Sequence, residues 1–162
     1  MTPVTVGSMA DNTVTTVDAG TRRVACRVVV DAPASAVFDL VADPHRHGEL
    51  DGSGTVGEKV KGPHRLTKGA KFNVAMKQFG VPYAITSTVT ELEEDRVVEW
   101  RHPLGHHWRW EMAELDGGRT QVTETWDYRG NKAAKVLELT GYPKKNEAGI
   151  RSTLEALATR FS

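Results

Sequence analysis

Five polar side chains fall in phase with apolar ones along the β-type runs of this 162-residue chain: Tyr83, Ser87, His102, Glu124 and Tyr128. Residues two apart on a strand share a face. In "RTQVTETWDY" that rule groups Val122, Glu124, Trp126 and Tyr128 against Gln121, Thr123, Thr125 and Asp127. A carboxylate on an apolar face is costly unless it is paired, hydrated or protonated, and burial raises its pKa. Glu124 is therefore the first candidate for proton transfer, as a general acid or base. In "RVVEWRH", His102 shares a face with Val98 and Trp100 and is the second catalytic candidate, although it stands beside the "PLG" turn and has a rim position as its plainer reading.

The same alternation supplies a wall for these groups. "AKFNVAMK" contributes Phe72, Val74 and Met76; "YAITSTVTELE" contributes Tyr83, Ile85 and Ser87; "HHWRWEMAEL" contributes Trp108, Trp110 and Met112. Trp100, Trp126 and Tyr128 join them, with Leu154 from the last helix. A mostly apolar surface with a few convergent polar groups is the composition of a small-molecule cavity. Plainer readings stand beside this one: tryptophans as core, tyrosines snorkelling to water, Glu124 paired with an arginine or wet at a sheet end. A single β-bulge would invert every assignment beyond it in its strand.

Other chemistries have weaker support. His45 and His47 are two apart, a spacing that meets on one side only in an extended segment, and His102, His106 and His107 surround a turn without a cysteine or carboxylate pattern. Zinc sites have tighter signatures, so no metal is expected. No phosphate loop, dinucleotide fingerprint or nucleophile elbow is present, and no cofactor is implied. Cys26, the single cysteine, reads as a small hydrophobe in the first apolar run. With no disulfide possible within the chain, a reduced, cytoplasmic compartment is expected.

Lysine plus arginine balances aspartate plus glutamate, 21 against 21, which leaves no electrostatic footprint for nucleic acid. No apolar run approaches the roughly 18 residues of a membrane span, and the first residues lack the basic start and apolar core of a secretion signal. Residues 1–20 read as a poorly ordered tail and residues 21–162 as one domain. The sequence carries no signal for oligomeric state.

The elements that position the candidates follow from local pattern. "RRVACRVVV" is a strand. After Asp31-Ala32-Pro33, Val37, Phe38, Leu40 and Val41 give a short helix that Asp43-Pro44 ends, and "PHRHGELD" forms one more turn. Six short β-type runs follow, broken by "KGPHRLTKG", "FGVP", "EED", "PLG" and "DGG", too closely spaced for crossover helices and therefore antiparallel. "NKAAKVLELT" is helical. Beyond "GYP", the stripe Ile150, Leu154, Leu157 and Phe161 marks a long amphipathic C-terminal helix. An α+β fold is predicted: a curved seven-stranded antiparallel sheet wrapped around that helix, with two short helices closing one end.

The chain resembles the START-like superfamily, also called SRPBCC or helix-grip, and within it the polyketide cyclase/dehydrase branch. The resemblance rests on "VVVDAPASAVFDLVADPHRHGELD", on "LDGGRTQVTETWDY" and on the C-terminal helix, and spans residues 22–162. It implies an internal cavity for a hydrophobic small molecule, aromatic, polycyclic or lipid-like. Two uses remain open: a cyclase/dehydratase-like enzyme, or a non-catalytic carrier or sensor. A chaperone-activator type of interaction module is a third, with little support from the regularly polar outer face. Fold alone does not select among them.

Overall fold

The structure is a computed structural model that describes residues 12–50, 56–78 and 80–162. Eight antiparallel strands form one sheet: β1 (Thr15–Asp18), β2 (Arg23–Val30), β3 (Val56–Lys61), β4 (Lys71–Gln78), β5 (Val81–Glu93), β6 (Val97–Arg101), β7 (His107–Leu115) and β8 (Arg119–Asp127). Their order is β1-β2-β8-β7-β6-β5-β4-β3. Consecutive strands from β3 to β8 are neighbours, as the short turn-rich connections require, and the chain closes by pairing its last strand with β2. Helix α1 (Ala34–Val41) and a 3₁₀ segment (Pro44–Glu49) follow β2; α2 (Ala134–Leu139) and the 19-residue α3 (Tyr142–Arg160) follow β8. This is the expected helix-grip architecture.

One strand more is present than the sequence suggested. Val14-Thr15-Thr16-Val17 lies in the segment expected to be disordered, yet Thr15–Asp18 pairs with β2 in the register Thr16↔Cys26. Its β-branched residues occupy an edge that would otherwise expose the backbone groups of β2. Arg151 of α3 fixes it by donating to the Val14 carbonyl at 2.8 Å and to Thr16 Oγ1 at 2.7 Å. The rest of the expected tail, residues 1–11, lies outside the described residues, as does the stretch Gly52-Ser53-Gly54.

The helical elements start and stop where their chemistry allows. Asp43 is extended (φ −113°, ψ 102°) ahead of Pro44, and its Oδ1 accepts the His45 N–H at 3.0 Å to cap the 3₁₀ segment. Gly141 adopts φ 81° between α2 and α3, a conformation costly for other residues. From there α3 lays Ile150, Leu154 and Leu157 into the core against the inner sheet face. The Asp31 N–H donates to the Phe161 carbonyl at 3.2 Å and anchors its far end beside β2.

Register across the sheet aligns the inner-face residues in rows. Trp100 pairs with Trp108, and Trp108 with Trp126. One step along, Trp110 pairs with Glu124, and Glu124 with Cys26. A bulge between Val89 and Glu91 shifts β5 against β6, so Glu91 falls opposite the outward Glu99 and joins Arg109 in an ion pair of 2.6 Å. The predicted inner residues Tyr83, Ile85 and Ser87 all precede the bulge and keep their face.

Candidate functional site

The inner sheet face, α3 and the α1–3₁₀ unit enclose a cavity of about 480 Å³, within the usual range of small-molecule sites. Strands β4 to β8 present Phe72, Val74, Met76, Tyr83, Ile85, Ser87, Trp100, Trp108, Trp110 and Glu124 to it, and the β6–β7 turn presents His102. Strand alternation thus brings ten of the fifteen candidates to one wall, and the turn adds His102 as an eleventh. The other four are placed elsewhere. Met112, Trp126, Tyr128 and Leu154 are each at most 5 % exposed and belong to the packed core. Trp126 and Tyr128 stack at 4.4 Å, and the Tyr128 hydroxyl donates to Glu138 of α2 at 3.0 Å, which closes the sheet over them. Burial pushes the Tyr128 phenol up, and its bond to Glu138 adds to that.

The cavity has an aromatic side. His47, from the 3₁₀ segment, stacks on Trp100 with centroids 5.0 Å apart, and Phe72 meets both rings edge-on at 5.6–5.8 Å. His47 Nε2 lies 2.6 Å from the Val41 carbonyl. Burial lowers the His47 pKa, and the carbonyl bond opposes the shift. At the β6–β7 turn His102 and His106 stack at 4.2 Å with planes 18° apart. His102 Nδ1 accepts the Leu104 N–H at 3.0 Å, and His106 Nδ1 lies 2.9 Å from Asn131 Nδ2. Burial lowers both pKa values, that of His106 to about 3.

Glu124 is 7 % exposed, on the cavity wall between the strands of Trp110 and Cys26. Burial is also the main cause that pushes the Cys26 thiol up, so it is held as the inert thiol expected of a core cysteine. Tyr83 is 39 % exposed at the rim, its phenol pushed up by burial first and by Tyr142 second. Across the rim Lys145 Nζ stands 5.1 Å from the centre of the Tyr142 ring.

Sequence reasoning missed His47, His106 and one whole face of α3. Tyr142, Lys145, Asn146, Gly149, Ser152 and Thr153 line the cavity at helical spacing, beside the Ile150-Leu154-Leu157 stripe. A polar and small face on a helix normally reads as solvent-facing. The one available signal was Gly149, which costs a helix interior about 1 kcal/mol relative to Ala and so asks for a reason.

Among the described residues one group could offer three ligands to a metal: Asp43, His45 and His64, whose ligand atoms lie within 4.8 Å of one another. The two imidazoles stack at 3.9 Å with planes 20° apart. Nitrogen lone pairs lie in the ring plane, so stacked rings point them side by side rather than at one ion. The group also lies outside the cavity wall.

Comparison with known proteins gives concordant results. A sequence profile described as polyketide cyclase / dehydrase and lipid transport matches residues 12–162. An uncharacterised protein of Mycobacterium tuberculosis, Rv0088, is 52 % identical over 154 residues, covering 93 % of this chain and 69 % of that protein. Among solved structures, protein Ms6760 from Mycobacterium smegmatis superposes with a TM-score of 0.64 at 18 % identity, over 91 % of this chain and 100 % of that one. The Zhui aromatase/cyclase from Streptomyces sp. R1128 superposes with a TM-score of 0.61 at 22 % identity, over 84 % and 93 %. At these identities the two structures share the fold. Among the described residues no helix is long and apolar enough to cross a membrane.

Proposed function

The chain belongs to the polyketide cyclase / dehydrase and lipid transport family, and from that premise we propose that it binds one hydrophobic small molecule, aromatic or polycyclic, in the cavity beneath α3, and performs cyclase/dehydratase-like proton transfer on it. The observation that carries the binding proposal is the wall itself: Phe72, Trp100, Trp108 and Trp110 with His47 around about 480 Å³. Flat aromatic surfaces favour a flat ligand through offset and edge-on contacts.

A carrier needs only that wall. The enzyme reading draws on the number of titratable groups sharing one cavity: Glu124, His47, His102, His106, Tyr83, Tyr142 and Lys145. In this reading the wall holds a flexible polyketone in one fold, which lowers the entropic part of the barrier. A base, Glu124, takes a proton from a carbon between two carbonyls. The carbanion attacks a third carbonyl to form the ring bond, and the resulting alkoxide is protonated. The hydroxyl then leaves as water with loss of a neighbouring proton, so the net change is one new carbon–carbon bond, one new double bond and one water.

The test is a titration of tryptophan emission with sterols, fatty acids, flavonoids and anthraquinones. A saturable response in the micromolar range or tighter, about −8 kcal/mol, is expected for a flat aromatic member, with little dependence on salt. Absence of saturation across the panel would contradict the binding proposal.

A further inference from the structure

We propose that the cavity is polar in a directed sense: His102 and His106 each present an Nε2–H donor, whereas His47 presents an Nδ1 lone pair. Its ligand is then an aromatic ketone with an uncharged acceptor oxygen at the β6–β7 turn and a hydroxyl near Trp100. This inference rests on the proposed cavity ligand and specifies its chemical class.

The tautomers follow from hydrogen bonds that have one possible direction. A backbone N–H only donates, so the Leu104 N–H at 3.0 Å obliges His102 Nδ1 to accept. The proton of neutral His102 therefore sits on Nε2. His106 needs one step more. Asn131 is 6 % exposed and its Oδ1 takes the Ala133 N–H at 2.7 Å, which fixes the amide orientation. The amide nitrogen, a donor only, then faces His106 Nδ1 at 2.9 Å, so this ring too accepts at Nδ1 and carries its proton on Nε2. His47 is the reverse case. A carbonyl only accepts, so the Val41 oxygen at 2.6 Å takes the Nε2–H and leaves Nδ1 as a lone pair.

Among the described residues, neither Nε2–H of the stacked pair meets a protein acceptor, and His47 Nδ1 meets no protein donor. All three rings line the cavity. Burial, joined at His106 by the neighbouring His102 and His107, lowers both pKa values and favours the neutral rings. Two neutral N–H donors suit a ketone oxygen, or the alkoxide it becomes when attacked, which is the geometry of electrostatic stabilisation at a carbonyl.

Two measurements test this on the full chain. The first needs no ligand: long-range ¹⁵N–¹H spectra of the histidine rings near pH 7 should show His47, His102 and His106 as Nε2–H tautomers, with His47 Nε2–H hydrogen-bonded. An Nδ1–H tautomer at His102 or His106 would overturn the proposal. The second is a binding cycle with anthracene and 9,10-anthraquinone, which share a three-ring shape and differ in two acceptor oxygens. The ratio of anthraquinone to anthracene affinity in the parent should fall about tenfold in His106→Leu, with His102→Phe as an independent second variant. A ratio unchanged in both folded variants would overturn the directed polarity and leave the cavity proposal standing. No saturable binding of either probe to the parent would overturn the assigned ligand class, and the emission panel then decides the cavity proposal separately.

Discussion

Gly105 and Gly130 meet backbone against backbone, and a Cβ on Gly105 would fall inside the contact distance of the Gly130 carbonyl oxygen. This close approach presses the turn that carries His102 and His106 onto the loop that carries Asn131. Gly105 also holds φ at +102°, outside the range that other residues adopt readily. Gly105→Ala combines backbone strain with overpacking, for a loss of about 2–5 kcal/mol in urea denaturation. A change below about 0.5 kcal/mol would mean that the two loops do not meet.

Acid should weaken the fold through the same turn. His106 has a folded pKa of about 3 against roughly 6.5 in an unfolded chain, so between those values the unfolded state binds more protons. Its contribution is therefore complete above about pH 6.5 and is lost as pH falls, by up to about 1.4 kcal/mol per pH unit. His47 and His102, whose pKa values are also lowered by burial, act in the same direction. Comparing stability at pH 6.5 and pH 5 in the parent and in His106→Leu should show a drop smaller by about 1–2 kcal/mol in the variant. Parallel curves would contradict the depressed pKa.

Glu124→Gln separates enzyme from carrier. If the carboxylate transfers a proton, the variant should fold, bind within a few-fold of the parent, and turn over a cyclisable polyketone about 10²–10⁴-fold more slowly. A carrier would instead show a change of about 1–3 kcal/mol in affinity or stability, with no turnover in the parent to lose.

The Asp43, His45 and His64 group yields a prediction about metals. Because the stacked rings do not converge their lone pairs, exhaustive chelation should leave the melting temperature unchanged and added zinc should not raise it. Stoichiometric zinc in the purified protein, lost together with stability on chelation, would contradict this.

Strand period made one wall of the cavity legible in advance, because alternation assigns a face from adjacent residues alone. It assigns no depth, however. Trp126 and Tyr128 lie on the same face as Glu124, yet both are packed into the core, a fact held in contacts such as Tyr128 to Glu138 of α2. The edge strand at Thr15–Asp18 was hidden because its four residues gain stability from β2 and Arg151 rather than from a pattern of their own. The polarity of His47 and His106 was equally hidden: it is set by the Val41 carbonyl and by the Asn131 amide, six and twenty-five residues away. The polar face of α3 looked like a solvated surface until the sheet was placed beneath it.

Gly149 offers the most direct measurement on the cavity itself. It lies within α3 and lines the void, so Gly149→Leu improves helix propensity by about 1 kcal/mol while placing a side chain in the space assigned to the ligand. Emission titration of the parent and this variant with the tightest flat aromatic ligand should show an affinity at least tenfold weaker in the variant, or about 1.4 kcal/mol, with a melting temperature equal to or above that of the parent. An unchanged affinity in a folded Gly149→Leu protein would place the ligand elsewhere and contradict the cavity account.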